Sequence, residues 1–220
     1  MHQCARFLSR PTNLHAKAVR RIGRYLLSTR DQGYNIIPDN AKGMECYVDA
    51  SFAGEWAPDR RLQATTDPNT ARSRTGFIIM FAGVPMLWAS KMQTEIALSS
   101  TEAELIALSA ATREVIFLMR LVADAGRNGH RLHIATTKLH CRILEDNMGT
   151  IAIAQEPRIR PRTKHINQKY WHFVTYLKTG LMSIHWIASG DMLADALTKA
   201  LPPETFRRLT TQIHRWHSNG

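Results

Sequence analysis

Three short apolar runs follow one another in this chain with only loops between them, and after them strand-like and helix-like patterns alternate. GMECYVDASF reads as a buried strand, and TGFIIMFAG and VPMLWASK read as two more around a tight turn at Ala82, Gly83 and Val84. A loop of about twenty residues, holding Pro58 and Pro68, separates the first run from the second. From about Ser100 to Ala125, Leu105, Leu108, Val115, Met119 and Val122 recur near heptad spacing. They predict a long helix with one face on a sheet, ended by Gly126 and Gly129. KLHCRILED predicts a further buried strand, and NMGTIAIAQ a short helix stopped by Pro157. INQKYWHFVTYLKTG predicts a helix closed by Gly180, LMSIHWIA the last strand and DMLADALTKAL the last helix. Hairpin-linked strands followed by this alternation predict an α/β domain, a mixed sheet covered by helices. Ligand sites in such sheets lie beyond the carboxyl ends of the parallel strands.

At 220 residues the chain is long enough for one medium domain and an appendage. We expect a basic helical segment over 1–43, the main domain over 44–200 and a C-terminal tail over 201–220. In the first, Val19, Ile22 and Leu26 share a helical face over residues 15–29, while Lys17, Arg20, Arg21 and Arg24 form a separate basic stripe. Hydrophobic residues at 44% and charged residues at 21% argue against disorder. A net charge of +11 favours a polyanionic partner, because each neutralised phosphate releases counterions. Cys4, Cys46 and Cys141 lack zinc-site or redox spacing and predict reduced, buried thiols in an intracellular compartment. No apolar stretch is long enough to span a bilayer, and no membrane partner is expected.

Acidic residues stand at the borders of these elements. Asp49 and Asp146 fall at the ends of predicted strands, where a sheet of this kind places its ligands. Glu102 and Glu104 are two apart on a helix and so point to nearly opposite faces. Glu104 shares a face with Leu108, Ala111 and Val115 and leans to the sheet. Glu102 faces water and pairs with Ser99 as a capping box. Strand alternation sends Glu145 and Asp146 to opposite sides, with Glu145 expected in solvent and Asp146 also suited to cap the next helix. Asp191 and Asp195 lie four apart, so both could approach a metal, Asp191 reading better as an N-terminal helix acid. Hard oxygen ligands so placed suit Mg²⁺. Two such ions, roughly 3.5 to 4 Å apart, activate an attacking water and stabilise a leaving oxygen. Arg158, Arg160, Arg162 and Lys164 alternate around Pro157 and Pro161, followed by His165, Lys169 and His172. An extended segment would aim several of these cations toward one side, the alternative being a solvated charge run.

The stretches YVDASFAG, SRTGFIIM, WASKMQTEIALSSTEAELIAL, EDNMGTIAIAQEP, RTKHINQKYWHF and MLADALTKALP, in that order, resemble the ribonuclease H domain of copia-type retrotransposon polyproteins. The segment before them resembles the connection to the polymerase. The resemblance implies a ribonuclease H-like five-stranded mixed sheet, a three-strand antiparallel meander plus two parallel strands. It implies Asp49, Glu104, Asp146 and Asp195 as the catalytic metal ligands, Asp49 bridging, with two Mg²⁺ ions that Mn²⁺ can replace. It also implies a metal-dependent endonuclease for the RNA strand of RNA:DNA hybrids, acting beside a reverse transcriptase in the cytoplasm, in a virus-like particle, or in the nucleus. RTKH and His172 then take a substrate-side role. A remnant that binds hybrid or polymerase without cutting, and a transposase or integrase-like nuclease, are the alternatives. Ala50 stands where a polymerase YxDD signature has its second aspartate, which argues against polymerase chemistry. Relatives often carry a histidine in the loop before the last aspartate; here His185 sits in a predicted strand and reads as structural. Ser51 and Gln93 are candidates for reading the 2′-hydroxyl.

Overall fold

A computed structural model of the protein describes residues 2–5, 7–33, 36–39, 41–53, 71–128, 139–156 and 171–214. The strands β1 (Met44–Ser51), β2 (Arg74–Phe81), β3 (Val84–Met92), β4 (Cys141–Glu145) and β5 (Met182–Trp186) form one sheet in the order β3-β2-β1-β4-β5. β1, β2 and β3 pair antiparallel, whereas β4 runs parallel to both β1 and β5. This is the meander plus two parallel strands of the expected ribonuclease H-like sheet. At the β2–β3 hairpin, Ala82 and Gly83 both adopt positive φ, 51° and 71°. A two-residue turn of that hand matches the twist of the flanking strands.

Beyond a helical turn at His2–Ala5, the described α-helices are α1 (Asn13–Ser28), α2 (Ser100–Arg127), α3 (Met148–Gln155), α4 (Val174–Lys178), α5 (Asp195–Thr198) and α6 (Pro203–His214). Period-two alternation gives each sheet face its own cover. Cys46, Val48, Phe77 and Ile79 face α2, which seals them with Leu105, Leu108, Val115 and Met119. Tyr47, Ile78 and Met80 lie on the opposite face, where α6 lays Leu209 and Ile213. All three cysteines are free, and Cys46 and Cys141 are buried in the first of these cores.

Several boundaries differ from the sequence-based expectation. From Pro203, α6 is amphipathic and buries its apolar stripe on the sheet. The larger compact unit spans Ile36–Ile213. Residues 39 and 43 bond to the β2–β3 turn, Asp39 N–H to the Ala82 carbonyl at 2.9 Å and Ala82 N–H to that of Gly43 at 3.1 Å. In the other unit, α1 buries none of its residues. Gly126 does not end α2, which runs on to Arg127 and is capped by Asn128; a single glycine weakens a helix without breaking it. The helix expected from Asp191 starts only at Asp195, after a 3₁₀ turn over Ser189–Asp191. Of the INQKYWHFVTYLKTG helix, the described part is a 3₁₀ turn, Trp171–Phe173, followed by α4. No described helix is long and apolar enough to cross a membrane.

Candidate active site

β1 is the strand at which the sheet changes from antiparallel to parallel pairing, and Asp49 lies on it, fully buried. Its parallel register with β4 pairs Met44 with Cys141 and Tyr47 with Leu144; carried two residues further, it sets Asp49 opposite Asp146, just past the end of β4. The cap of the next helix falls to Asn147, whose side chain accepts from Thr150 N–H at 3.0 Å. Asp146 is therefore not used as a helix cap.

Glu104 comes from the start of α2. Ser99 caps that helix by accepting from Glu102 N–H at 3.1 Å, and the Glu102 carboxylate accepts from Leu98 N–H at 2.8 Å. Glu104, two residues on, is turned inward and only 5% exposed. Gln93 holds this end of the helix to the sheet, its amide donating to Thr75 Oγ1 at 3.1 Å and to the Ala103 carbonyl at 2.9 Å. Gln93 is thereby buried as a strut. Ser51 Oγ accepts from Arg74 N–H at 3.3 Å.

One carboxylate oxygen each from Asp49, Glu104 and Asp146 lies within 4.8 Å of the others. Asp195, at the start of α5, is buried and reaches the group through a cation: Lys199 Nζ stands 2.9 Å from Asp49 Oδ1 and 2.8 Å from Asp195 Oδ1. Thr198 donates its hydroxyl to the other oxygen of Asp49. Asp191 is exposed and ion-paired with Arg208 of α6 at 3.1 Å, which ties down the loop leading to α5.

Glu145 departs from expectation, since it is fully buried rather than solvated. Alternation does separate it from Asp146, but its side is the one shared with Cys141 and Ile143, which α2 covers. One Glu145 oxygen accepts from Asn147 N–H at 3.1 Å, while the other, like Glu104 Oε2, is buried without a hydrogen-bond partner. Burial, then the charges of Glu145, Asp49 and Asp146, push the Glu104 carboxyl up to about 10. Burial likewise pushes Glu145 up to about 8, opposed by its bond from Asn147 and reinforced by Asp146 and Asp49. Burial also raises Asp195, against the pull of Lys199. For Lys199 itself burial works downward, and its bonds to Asp195 and Asp49 outweigh it, leaving the ammonium raised.

These carboxylates have too little positive charge near them. Buried acids repel one another, and an orphaned carboxylate oxygen is costly to desolvate. A hard divalent cation answers both problems, so the donor set fits Mg²⁺ or Mn²⁺ at Asp49, Glu104 and Asp146.

Gly76 has a role that the sequence pattern does not announce. It pairs with Asp49 in the β1–β2 register, and a Cβ built there would lie 2.4 Å from Thr198 Cγ2 and 3.2 Å from the Ala194 carbonyl. The missing side chain is what lets α5 approach Asp49. Gly76→Ala is expected to push α5 away, lower stability by about 1–3 kcal/mol and weaken divalent-ion binding, read by urea denaturation and Mn²⁺ titration. Unchanged stability would contradict this packing. No sequence periodicity marks such a position, because the contact is with residues far along the chain.

Arg158, Arg160, Arg162, Lys164, His165 and Lys169, expected on the substrate side, lie outside the described residues. His172 is half-buried with Nε2 3.3 Å from Thr112 Oγ1 of α2, and its ring stands edge-on to Phe173. His185 lies in β5 as expected, 2.7 Å from Ser183 Oγ.

No protein-family model matches the chain. It is 27% identical over 97% of its length to the retrovirus-related Pol polyprotein from transposon RE1 of Arabidopsis thaliana. It is 30% identical over 98% to that from transposon TNT 1-94 of Nicotiana tabacum. The chain spans 13% and 14% of the length of those polyproteins. Among solved structures, RNase H1 of Halobacterium salinarum NRC-1 is 15% identical, with a TM-score of 0.42 covering 71% of this chain and 95% of that one. Along nearly all of its length, then, the chain is similar to one stretch of the retrovirus-related Pol polyproteins of transposons.

Proposed function

We propose that this segment is a divalent-metal-dependent endonuclease that hydrolyses the RNA strand of RNA:DNA hybrids, of the ribonuclease H type. The observation that carries the reading is the meeting of Asp49, Glu104 and Asp146, from three elements distant in sequence, within 4.8 Å, with a buried Glu104 oxygen left unpartnered. Acids cost stability in such an arrangement unless they hold something positive. Mg²⁺ or Mn²⁺ bound there supplies Lewis acidity toward a phosphate oxygen and lowers the pKa of a water. Asp49, Glu104, Asp146 and Asp195 are the proposed ligands, each held in place by the backbone or helix it stands on. The net charge of +11 suits a nucleic-acid duplex as the partner. A polymerase domain of the same polyprotein is the second partner proposed, a reading supported by the similarity to Pol polyproteins.

The test compares an RNA:DNA hybrid with matched RNA and DNA duplexes. Hybrid-selective, Mg²⁺- or Mn²⁺-dependent cleavage is expected from the wild type, with loss of cleavage in Asp146→Asn. Binding of hybrid that persists in EDTA, together with no cleavage in Mn²⁺, would instead identify a non-cutting hybrid-binding remnant.

A further inference from the structure

We infer that Lys199 is a tethered cation that fills the Asp49–Asp195 side of the acidic site, so that a second divalent ion has to displace it. The inference deepens the nuclease reading and rests on it. The charge in the site is divided unevenly. On one side, Lys199 Nζ bridges Asp49 Oδ1 at 2.9 Å and Asp195 Oδ1 at 2.8 Å, and the neighbouring Thr198 hydroxyl takes the remaining Asp49 oxygen. One short stretch, α5 and the residue after it, thus engages both oxygens of Asp49. On the other side, Glu104 Oε2 is buried with no partner at all, within a trio of acids that offers an oxygen apiece. The protein satisfies one half of the site with its own ammonium and leaves the other half open.

Two features suit Lys199 to yield its place. Its side chain is 38% exposed, whereas that of Asp49 is 1% and that of Asp195 11% exposed, so the cation can swing toward solvent while the acids cannot. Its stem leaves the chain just past the last residue of α5, where the backbone has already turned extended, so displacement does not require unwinding the helix. An arriving ion on the Asp49–Asp195 side meets a unit positive charge within 3 Å of both acids. At the trio the same ammonium bonds to Asp49 alone, and Glu104 keeps an unpartnered oxygen for the ion.

Mn²⁺ titration of the folded protein without nucleic acid, by calorimetry and by paramagnetic counting of bound ions, tests this without any activity measurement. The wild type is expected to take one ion readily and a second at least about tenfold more weakly, given the Coulomb cost of a cation so close. Lys199→Gln is expected to bind the second ion about tenfold more tightly than the wild type does. Adding Asp195→Asn should abolish the second event in either background. Equal or weaker second-ion binding in Lys199→Gln overturns the inference. Should that variant fold poorly, the wild type still decides. Reductive methylation of Lys199, mapped by mass spectrometry, is expected to be slow without ion and to rise several-fold as Mg²⁺ reaches the range of the second event. Methylation indifferent to Mg²⁺ also overturns it. Neither failure touches the nuclease reading, which is judged separately by first-ion binding and hybrid cleavage of the wild type.

Discussion

Asp49→Asn is expected to reduce hybrid cleavage by on the order of 10³-fold, about 4 kcal/mol of barrier, while the sheet stays folded. Asp49 is the acid common to both halves of the site: one of the three that share a 4.8 Å sphere, and the one that Lys199 joins to Asp195. Asparagine keeps the shape and an oxygen able to accept from Thr198 or Lys199, so packing against α5 and Gly76 survives. It removes the negative charge that the other acids need in order to hold a divalent ion. Initial rates on a labelled hybrid, with far-ultraviolet circular dichroism of each variant, check the expectation. Cleavage within tenfold of the wild type in a well-folded Asp49→Asn would sink the assignment of the acidic site as the catalytic centre.

The second large effect is on stability. In EDTA, the wild type is expected to lose stability as the pH rises from about 5 to about 8, and divalent metal is expected to restore more of it the higher the pH. Glu104 and Glu145 have carboxyl groups raised to about 10 and about 8 in the folded chain, against an ordinary value near 4.5. Between those limits the folded state holds protons that the unfolded chain has released, so stability falls with pH, by at most about 1.4 kcal/mol per pH unit for each group. Below the ordinary carboxyl value both states are protonated and the effect vanishes. Above pH 8, of these two carboxyls only Glu104 continues the decline. The lowered His185 and His214 act in the opposite sense, but only below the ordinary imidazole value, so the slope is best read as a difference between variants. Glu104→Gln should flatten the pH dependence of Tm and shrink the Mn²⁺-induced rise. The same slope in Glu104→Gln and wild type would show that these carboxyls are not the source.

The inward turn of Glu104 is legible in the sequence because the relevant facts are local. Residues two apart on a helix face opposite ways, Ser99 needs a partner at Glu102, and so Glu104 is left turned to the sheet. The meander is legible for the same reason, since strand alternation and a tight turn are written within a few residues of each other. The burial of Glu145 is not, because alternation says which residues share a side, not whether that side is covered. Its cover, α2, begins more than forty positions earlier in the chain. The late start of α5 is hidden in the same way, because Asp191 answers to Arg208 of α6 rather than to its own helix.

Sequence alone determined the kinds and order of the elements and the acids standing at their ends, because hydrophobic period and helix geometry act over a handful of residues. Only the folded chain decided that three of those acids share a 4.8 Å sphere, that Glu145 joins them in burial, and that Lys199 and Gly76 shape the Asp49 side. The difference is one of range. Burial, charge repulsion and close approach arise between residues that the sheet and its covering helices bring together, and these interactions set the chemistry of the site.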